Sequence, residues 1–274
     1  MAMRPLIVLL AVLSTLCPAL AGETAWQEIA PGVSLRLIST GTVAANGTTL
    51  VALELDMPPT TKTYWRVPGQ TGLPTALDSS GSEGVEAVSI RWPYPERDSQ
   101  QGYLDYVYFG RVVLPIAVAV TGDRPSLQLD ALLGICSEIC IPAQASFTLS
   151  LSEAAPDRPN GLRIRQALAQ VPIAWPAAGA PFEQLRWSAD GSGLELRLVD
   201  PAIDPDSLIA TTASGQPLFG APQKSPQSDL VLLPILGKSD NSVLDDVEVA
   251  ITFMTPSGSF EVAGAVGAAL AGKE

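Results

Sequence analysis

Apolar and polar residues alternate along most of this chain, and the alternation predicts strands. Val51, Leu53, Leu55 and Met57 are interleaved with Ala52, Glu54 and Asp56 at the two-residue period of a strand with one buried face. The same period recurs at Leu127 and Leu129, at Phe147, Leu149 and Leu151, at Leu194, Leu196 and Leu198, and at Val247, Val249, Ile251 and Phe253. Pro68-Gly69, Asp190-Gly191 and Ser257-Gly258 supply turns between them. One segment changes period. Ile164, Ala167, Leu168 and Val171 fall at i, i+3, i+4 and i+7, which predicts a short amphipathic helix from near Asn160 to Pro172.

That helix comes after the polar stretch Glu153 to Pro159, and strand patterning resumes beyond Trp175, so it reads as an interdomain connector. The expected organisation is a leader over residues 1–21, a first β domain over 22–152, a linker over 153–175 and a second β domain over 176–274. Antiparallel alternation without a βαβ rhythm makes each domain most simply a β-sandwich, an all-β protein overall. The 24 prolines and 23 glycines, spread without a repeat period, fit many turns.

Residues 1–21 carry one charge, Arg4, then an apolar run from Leu6 to Leu13 and the small-residue site Ala19-Leu20-Ala21, the pattern of a cleaved secretory signal peptide. Leu16 before Cys17 argues against a lipoprotein site. The mature chain is thus expected in an oxidising compartment, with no later apolar run long enough to span a bilayer. It holds 15 basic against 28 acidic residues, a formal charge of −13, which makes nucleic acid and anionic membrane poor partners. The sequence contains no histidine, which removes His-based triads, Cys-His dyads and His-ligated metal sites. Chemistry falls to the cysteines or the carboxylates.

Cys136 and Cys140 are the cysteines left after leader removal. In an extended strand their Cα atoms would lie roughly 13 Å apart, beyond the roughly 7 Å limit of a disulfide, so pairing requires a helical turn or a hairpin with Ser137, Glu138 and Ile139 at its tip. A loop this short gains only about 2 kcal/mol from a disulfide in the chain-entropy model, little for a chain of this size. The spacing leaves three uses open: structural pairing, redox cycling, or soft-metal binding such as Cu(I). Parity adds to this. The apolar positions flanking the pair are odd-numbered and both cysteines even, so strict alternation places the sulfurs on the face away from the core unless a bulge intervenes.

Four blocks carry a family resemblance. They are Thr63-Tyr64-Trp65-Arg66-Val67-Pro68-Gly69-Gln70-Thr71-Gly72-Leu73-Pro74, then Arg91-Trp92-Pro93-Tyr94-Pro95-Glu96-Arg97, then Tyr108-Phe109-Gly110-Arg111-Val112-Val113-Leu114-Pro115, and Cys136 to Pro142. In this order they resemble the N-terminal domain of the DsbD family, in its ScsB-like branch, over roughly residues 45–152. The resemblance implies an immunoglobulin-like periplasmic domain whose cysteines, here Cys136 and Cys140, shuttle between dithiol and disulfide without a cofactor or metal. It implies as partners a membrane electron donor of DsbD type and periplasmic thioredoxin-like or disulfide-containing proteins, and Cys140 as the attacking sulfur. It also implies an aromatic cap over the cysteines, for which Tyr103 in the Pro95 to Tyr106 region is the candidate.

Tyr64, Trp65, Arg66 and Glu138 are candidates to line the site, Glu138 raising a thiol pKa and Arg66, Arg97 or Arg111 opposing it if close. Tyr64, Trp65 and Trp92 also fit ordinary core packing, and the arginines fit surface ion pairs. Asp200, Asp204 and Asp206, interleaved with Pro201 and Pro205, read as a turn before a calcium loop. The rival to thiol-disulfide exchange is a non-catalytic protein-binding sandwich module whose disulfide pins a hairpin.

Overall fold

The computed structural model describes residues 22–100, 102–151, 156–176, 179–225, 227, 229–237 and 247–267. The leader expected over residues 1–21 lies outside them. The first strands are β1 (Gln27–Ala30), β2 (Val33–Val43), β3 (Thr48–Asp56), β4 (Lys62–Gly69), β5 (Ala76–Asp78), β6 (Val85–Ile90), β7 (Glu96–Asp98), β8 (Asp105–Phe109), β9 (Val112–Val120), β10 (Ser126–Cys136) and β11 (Cys140–Ser150). They form two sheets, β1-β2-β3-β9-β6 and β11-β10-β4-β8-β7, with β5 also paired to β10. The helix α1 (Arg158–Leu168) comes next. After it come β12 (Ile173–Ala174), β13 (Phe182–Trp187), β14 (Gly193–Leu198), β15 (Ile209–Thr212), β16 (Leu218–Phe219), β17 (Gln223–Lys224), β18 (Leu230–Leu236), β19 (Glu248–Thr255) and β20 (Gly258–Ala265). These make a second pair of sheets, β12-β20-β19-β15 and β13-β14-β18-β16, with β17 on β18. The molecule is all-β, two immunoglobulin-like sandwiches joined by a segment with one short helix.

The core of the first sandwich is built from the odd positions that the alternation marked: Val51, Leu53 and Leu55 of β3 face Leu127, Leu129, Phe147 and Leu149 of β10 and β11 in one cluster. Strand β3 departs from the expectation of one wet face. Ala52 and Glu54 are also buried, because α1 lies across the outer face of β2, β3 and β9 and packs Ile164 against Ile38 and Ala52. The charges there are paired: Arg36 bonds Glu54 at 2.7 Å and Glu23 at 3.0 Å, and Arg163 reaches both carboxylates at 3.6 Å.

The helix starts two residues before the expected Asn160. Asp157 is its N-cap, accepting from the Asn160 backbone N–H at 2.9 Å, and Pro159 sits in the first turn, where its missing N–H costs nothing. It stops at Leu168, so Val171 falls beyond it. Asp204 and Asp200 do serve turns. Asp204 caps a 3-10 turn at Pro205–Ser207 by accepting from the Asp206 N–H, Asp200 accepts from the Ala202 N–H, and Asp206 pairs with Lys224.

The two sandwiches meet over the outer face of β4 and the segment carrying β7. Arg66 pairs with Glu261 of β20. Arg97 donates to the carbonyls of Asp206 at 2.8 Å and Leu208 at 2.9 Å. The Tyr94 hydroxyl donates to the Ser207 carbonyl. Ile209 and Leu218 of the second sandwich join the apolar cluster of the first. The Trp-Pro-Tyr-Pro-Glu-Arg block is therefore largely an interdomain contact.

Candidate functional site: the disulfide hairpin

Strands β10 and β11 pair without a bulge through eleven opposed residues, from Ser126 with Ser150 to Cys136 with Cys140. The uninterrupted register keeps the parity inference: Leu127 to Ile135 point into the core at odd positions, and the cysteines lie on the other face. The chain reverses through Ser137, Glu138 and Ile139, bringing the two Cα atoms to 4.0 Å, and the cysteines are joined as a disulfide. The turn is a hairpin, one of the two geometries the spacing allowed.

The two sulfur residues have unlike surroundings. Cys136 is 6% exposed, packed with Tyr64, Val107 and Phe109 in a small apolar cluster on the outer face of the sheet. Cys140 is exposed, as are Ser137, Glu138 and Ile139 at the tip. Strand order accounts for the asymmetry. Cys136 ends β10 next to β4, directly across from Lys62, whereas Cys140 begins β11 at the sheet edge.

Strand β4 carries the rest of the site by its two-residue period. Lys62 and Tyr64 share the outer face with Cys136, while Trp65 turns inward and packs edge-on against Tyr106. The Tyr64 hydroxyl lies 3.5 Å from Cys140 Sγ. Its pKa is raised, chiefly by burial, with Lys62 pulling the other way, so at neutral pH it is a protonated donor. The Lys62 ammonium is 2.7 Å from Asp98 Oδ2 and 3.2 Å from Asp105 Oδ2. Burial works to lower the Lys62 pKa, but these two carboxylates outweigh it and raise it; Lys62 in turn holds Asp98 low against its own burial.

The remaining candidates lie farther from the sulfurs. Arg66 leaves the outer face toward Glu261 and Thr252 of the second sandwich and stacks over Trp65, so its charge is committed away from the sulfurs. Tyr103 is 53% exposed and lines a cleft of about 330 Å³ with Gln70, Gly220, Pro222 and Leu236; among the described residues no contact joins it to either cysteine. The loop that lies on the site is the one from Gly69 to Thr75, where Gly72 abuts the Tyr64 ring. Glu138 is exposed at the hairpin tip, and Arg111 pairs with Asp56. Sequence reasoning missed Lys62, Asp98 and Asp105. The available signal was Asp105 itself, a carboxylate set between Leu104 and Tyr106 in an otherwise apolar strand.

Residues 36–152 match the family model described as the thiol:disulfide interchange protein DsbD, N-terminal. This part of the chain belongs to the DsbD N-terminal domain family. A crystal structure of the N-terminal periplasmic domain of ScsB from Proteus mirabilis has the same fold, with a TM-score of 0.72 at 22% identity over 90% of this chain and 99% of that one. No curated protein matched the sequence. With Cys136 and Cys140 joined at its hairpin, the first sandwich is a thiol-disulfide exchange domain. Among the described residues no helix is long and apolar enough to cross a membrane.

Proposed function

We propose that the protein is a periplasmic thiol-disulfide exchange protein that passes reducing equivalents through Cys136 and Cys140 to or from protein partners, with Cys140 the sulfur attacked first. The observation that carries this reading is the unequal burial of a disulfide set at an exposed hairpin tip: one sulfur residue is open at the sheet edge and the other is closed beneath Tyr64. An incoming thiolate attacks in line with the S–S bond, and of the two cysteines Cys140 is the exposed one.

In the oxidised protein a partner thiolate attacks Cys140 Sγ. The Cys140–Cys136 bond breaks, Cys136 leaves as a thiolate and takes up a proton, and a mixed disulfide joins Cys140 to the partner. The partner's second thiolate then attacks its own sulfur in that bond and releases Cys140. The hairpin has gained two electrons and the partner has become a disulfide. Run in reverse, the Cys140 thiolate attacks a client disulfide and Cys136 resolves the mixed species. The family suggests a membrane electron donor of DsbD type on one side and periplasmic thioredoxin-like or disulfide-containing proteins on the other. Ile139, 75% exposed at the tip, with the exposed Leu73 of the Gly69–Thr75 loop, gives the hairpin an apolar surround suited to a protein.

The test is a pair of single substitutions. Cys136→Ser retains the open sulfur without its resolving partner and is expected to accumulate a mixed disulfide with a thioredoxin-like protein, while Cys140→Ser is expected to trap none. Equal trapping by both, or by neither, contradicts the assignment.

A further inference from the structure

The segment between β4 and β5 is fastened to the start of β8 at several points. Gly69 has φ +99° and approaches so closely that a Cβ there would fall 2.3 Å from the Leu104 carbonyl oxygen. The Gln70 N–H donates to that carbonyl at 2.9 Å, and the Leu104 N–H donates to Gln70 Oε1 at 2.8 Å. Next comes Asp105, 3% exposed, whose carboxylate takes three donors. Its Oδ1 accepts the Thr71 backbone N–H at 3.0 Å, and its Oδ2 accepts the Thr71 hydroxyl at 2.6 Å and the Lys62 ammonium at 3.2 Å. Both oxygens are in use, which an amide in the same place cannot reproduce.

Beyond Thr71 the loop touches the site itself. A Cβ on Gly72 would fall 2.3 Å and 2.5 Å from Cδ1 and Cε1 of Tyr64. On the opposite ring edge, a Cβ on Gly134 would fall 2.8 Å from Cδ2 and 2.9 Å from the Leu73 carbonyl oxygen. The Tyr64 ring is thus gripped between the fastened loop and β10, with its hydroxyl at Cys140 Sγ and its body packed with Cys136.

We infer that Asp105 is a positioning residue for the exchange reaction: by anchoring Thr71 it holds the Gly69–Thr75 loop and Tyr64 over the hairpin, closing Cys136 and leaving Cys140 open to an incoming thiolate. This rests on the pair's being an exchange site, and it deepens that reading by naming what makes the two sulfurs unequal. The second anchor of the cluster, Lys62 with Asp98, holds the Asp105 carboxylate from the other side.

The experiment uses the full mature chain, reduced with a phosphine so that both thiols are free whatever the pair's potential. Timed pulses of iodoacetamide and fragment mass spectrometry give the alkylation rate of each cysteine. Wild type is expected to alkylate Cys140 about tenfold or more faster than Cys136, the difference set by exposure. In Asp105→Asn and in Thr71→Val the ratio is expected to fall to within about twofold through faster labelling of Cys136, and Thr71→Ser, which keeps the hydroxyl, is expected to restore it. With glutathione disulfide as oxidant, wild type and Thr71→Ser should carry the transient adduct on Cys140 alone, and Thr71→Val on both cysteines. Thr71 is exposed, so Thr71→Val keeps the test intact if Asp105→Asn does not fold. A wild-type ratio in Thr71→Val overturns the inference alone. A wild-type pair that never exchanges with glutathione overturns the reading beneath it, and that result is seen before any variant is made.

Discussion

Replacing Tyr64 with phenylalanine removes one oxygen from the site and leaves the ring held between Gly72 and Gly134. That oxygen lies 3.5 Å from Cys140 Sγ and stays protonated through the neutral range, so it is placed to donate to a Cys140 thiolate once the pair is reduced. Hydrogen bonds to charged groups contribute about 1.5–3 kcal/mol; a long contact to an exposed sulfur falls below that, at about 1 kcal/mol. At about 1.4 kcal/mol per factor of ten, the loss shifts the Cys140 thiol–thiolate balance about fivefold toward the thiol. Well below the pKa this lowers the thiolate fraction about fivefold, while a Brønsted coefficient of about 0.4–0.5 makes each remaining thiolate about twice as nucleophilic. The net rate is therefore expected to fall about two- to threefold near pH 7 and to rise about twofold on the alkaline plateau, so the two profiles cross. Stopped-flow reaction of the reduced protein with a small aromatic disulfide, monitored from neutral to alkaline pH, reads both limbs. A Tyr64→Phe profile that superimposes on wild type, or that is lower at both ends, refutes the reasoning.

The packing around the site leads to two more expected outcomes. Arg97→Ala removes two charged donors from the carbonyls of Asp206 and Leu208 and is expected to cost about 2 kcal/mol, seen as a lower Tm and as faster proteolysis between the sandwiches, with little change in thiol reactivity. Lys62→Met strands the Asp98 and Asp105 carboxylates and is expected to cost about 2 kcal/mol at neutral pH. Asp98 has a folded-state pKa below its unfolded one, so its contribution is complete above about pH 4 and is lost as pH falls through the folded value. Urea melts of wild type and Lys62→Met should accordingly converge in acid, and a gap that stays constant down to about pH 2 contradicts the ion-pair account.

Much of the fold was legible because a two-residue period survives translation into structure without long-range knowledge. Leu127 and Leu129 in β10 and Phe147 and Leu149 in β11 are buried where the alternation put them, and the even numbering of Cys136 and Cys140 correctly assigned the sulfurs to the outer face. What the alternation does not reveal is a second layer on that outer face. Glu54 reads as solvated and is 3% exposed, because α1 covers it and Arg36 neutralises it; Cys136 reads as accessible and is closed, because Tyr64 and its loop cover it. The Lys62 cluster was harder to read for a related reason: Asp105 stands out among apolar neighbours, but the carboxylates arrive from 36 and 43 residues away and no local pattern marks their meeting with Lys62. The arginines of the family blocks were weighed between the cysteines and surface ion pairs; that the second sandwich claims Arg66 and Arg97 is a demand that only the packed pair of domains exposes.

The central claim is that the hairpin disulfide cycles, and its reduction potential tests that most directly. The mature protein would be equilibrated in graded glutathione and dithiothreitol buffers and its free thiols counted at each poise. An exchange pair is expected to titrate above about −300 mV, half-reduced within reach of the glutathione couple. A pair that stays oxidised below about −300 mV until strong reductant is added would be a structural staple, and the exchange function would fail for this chain.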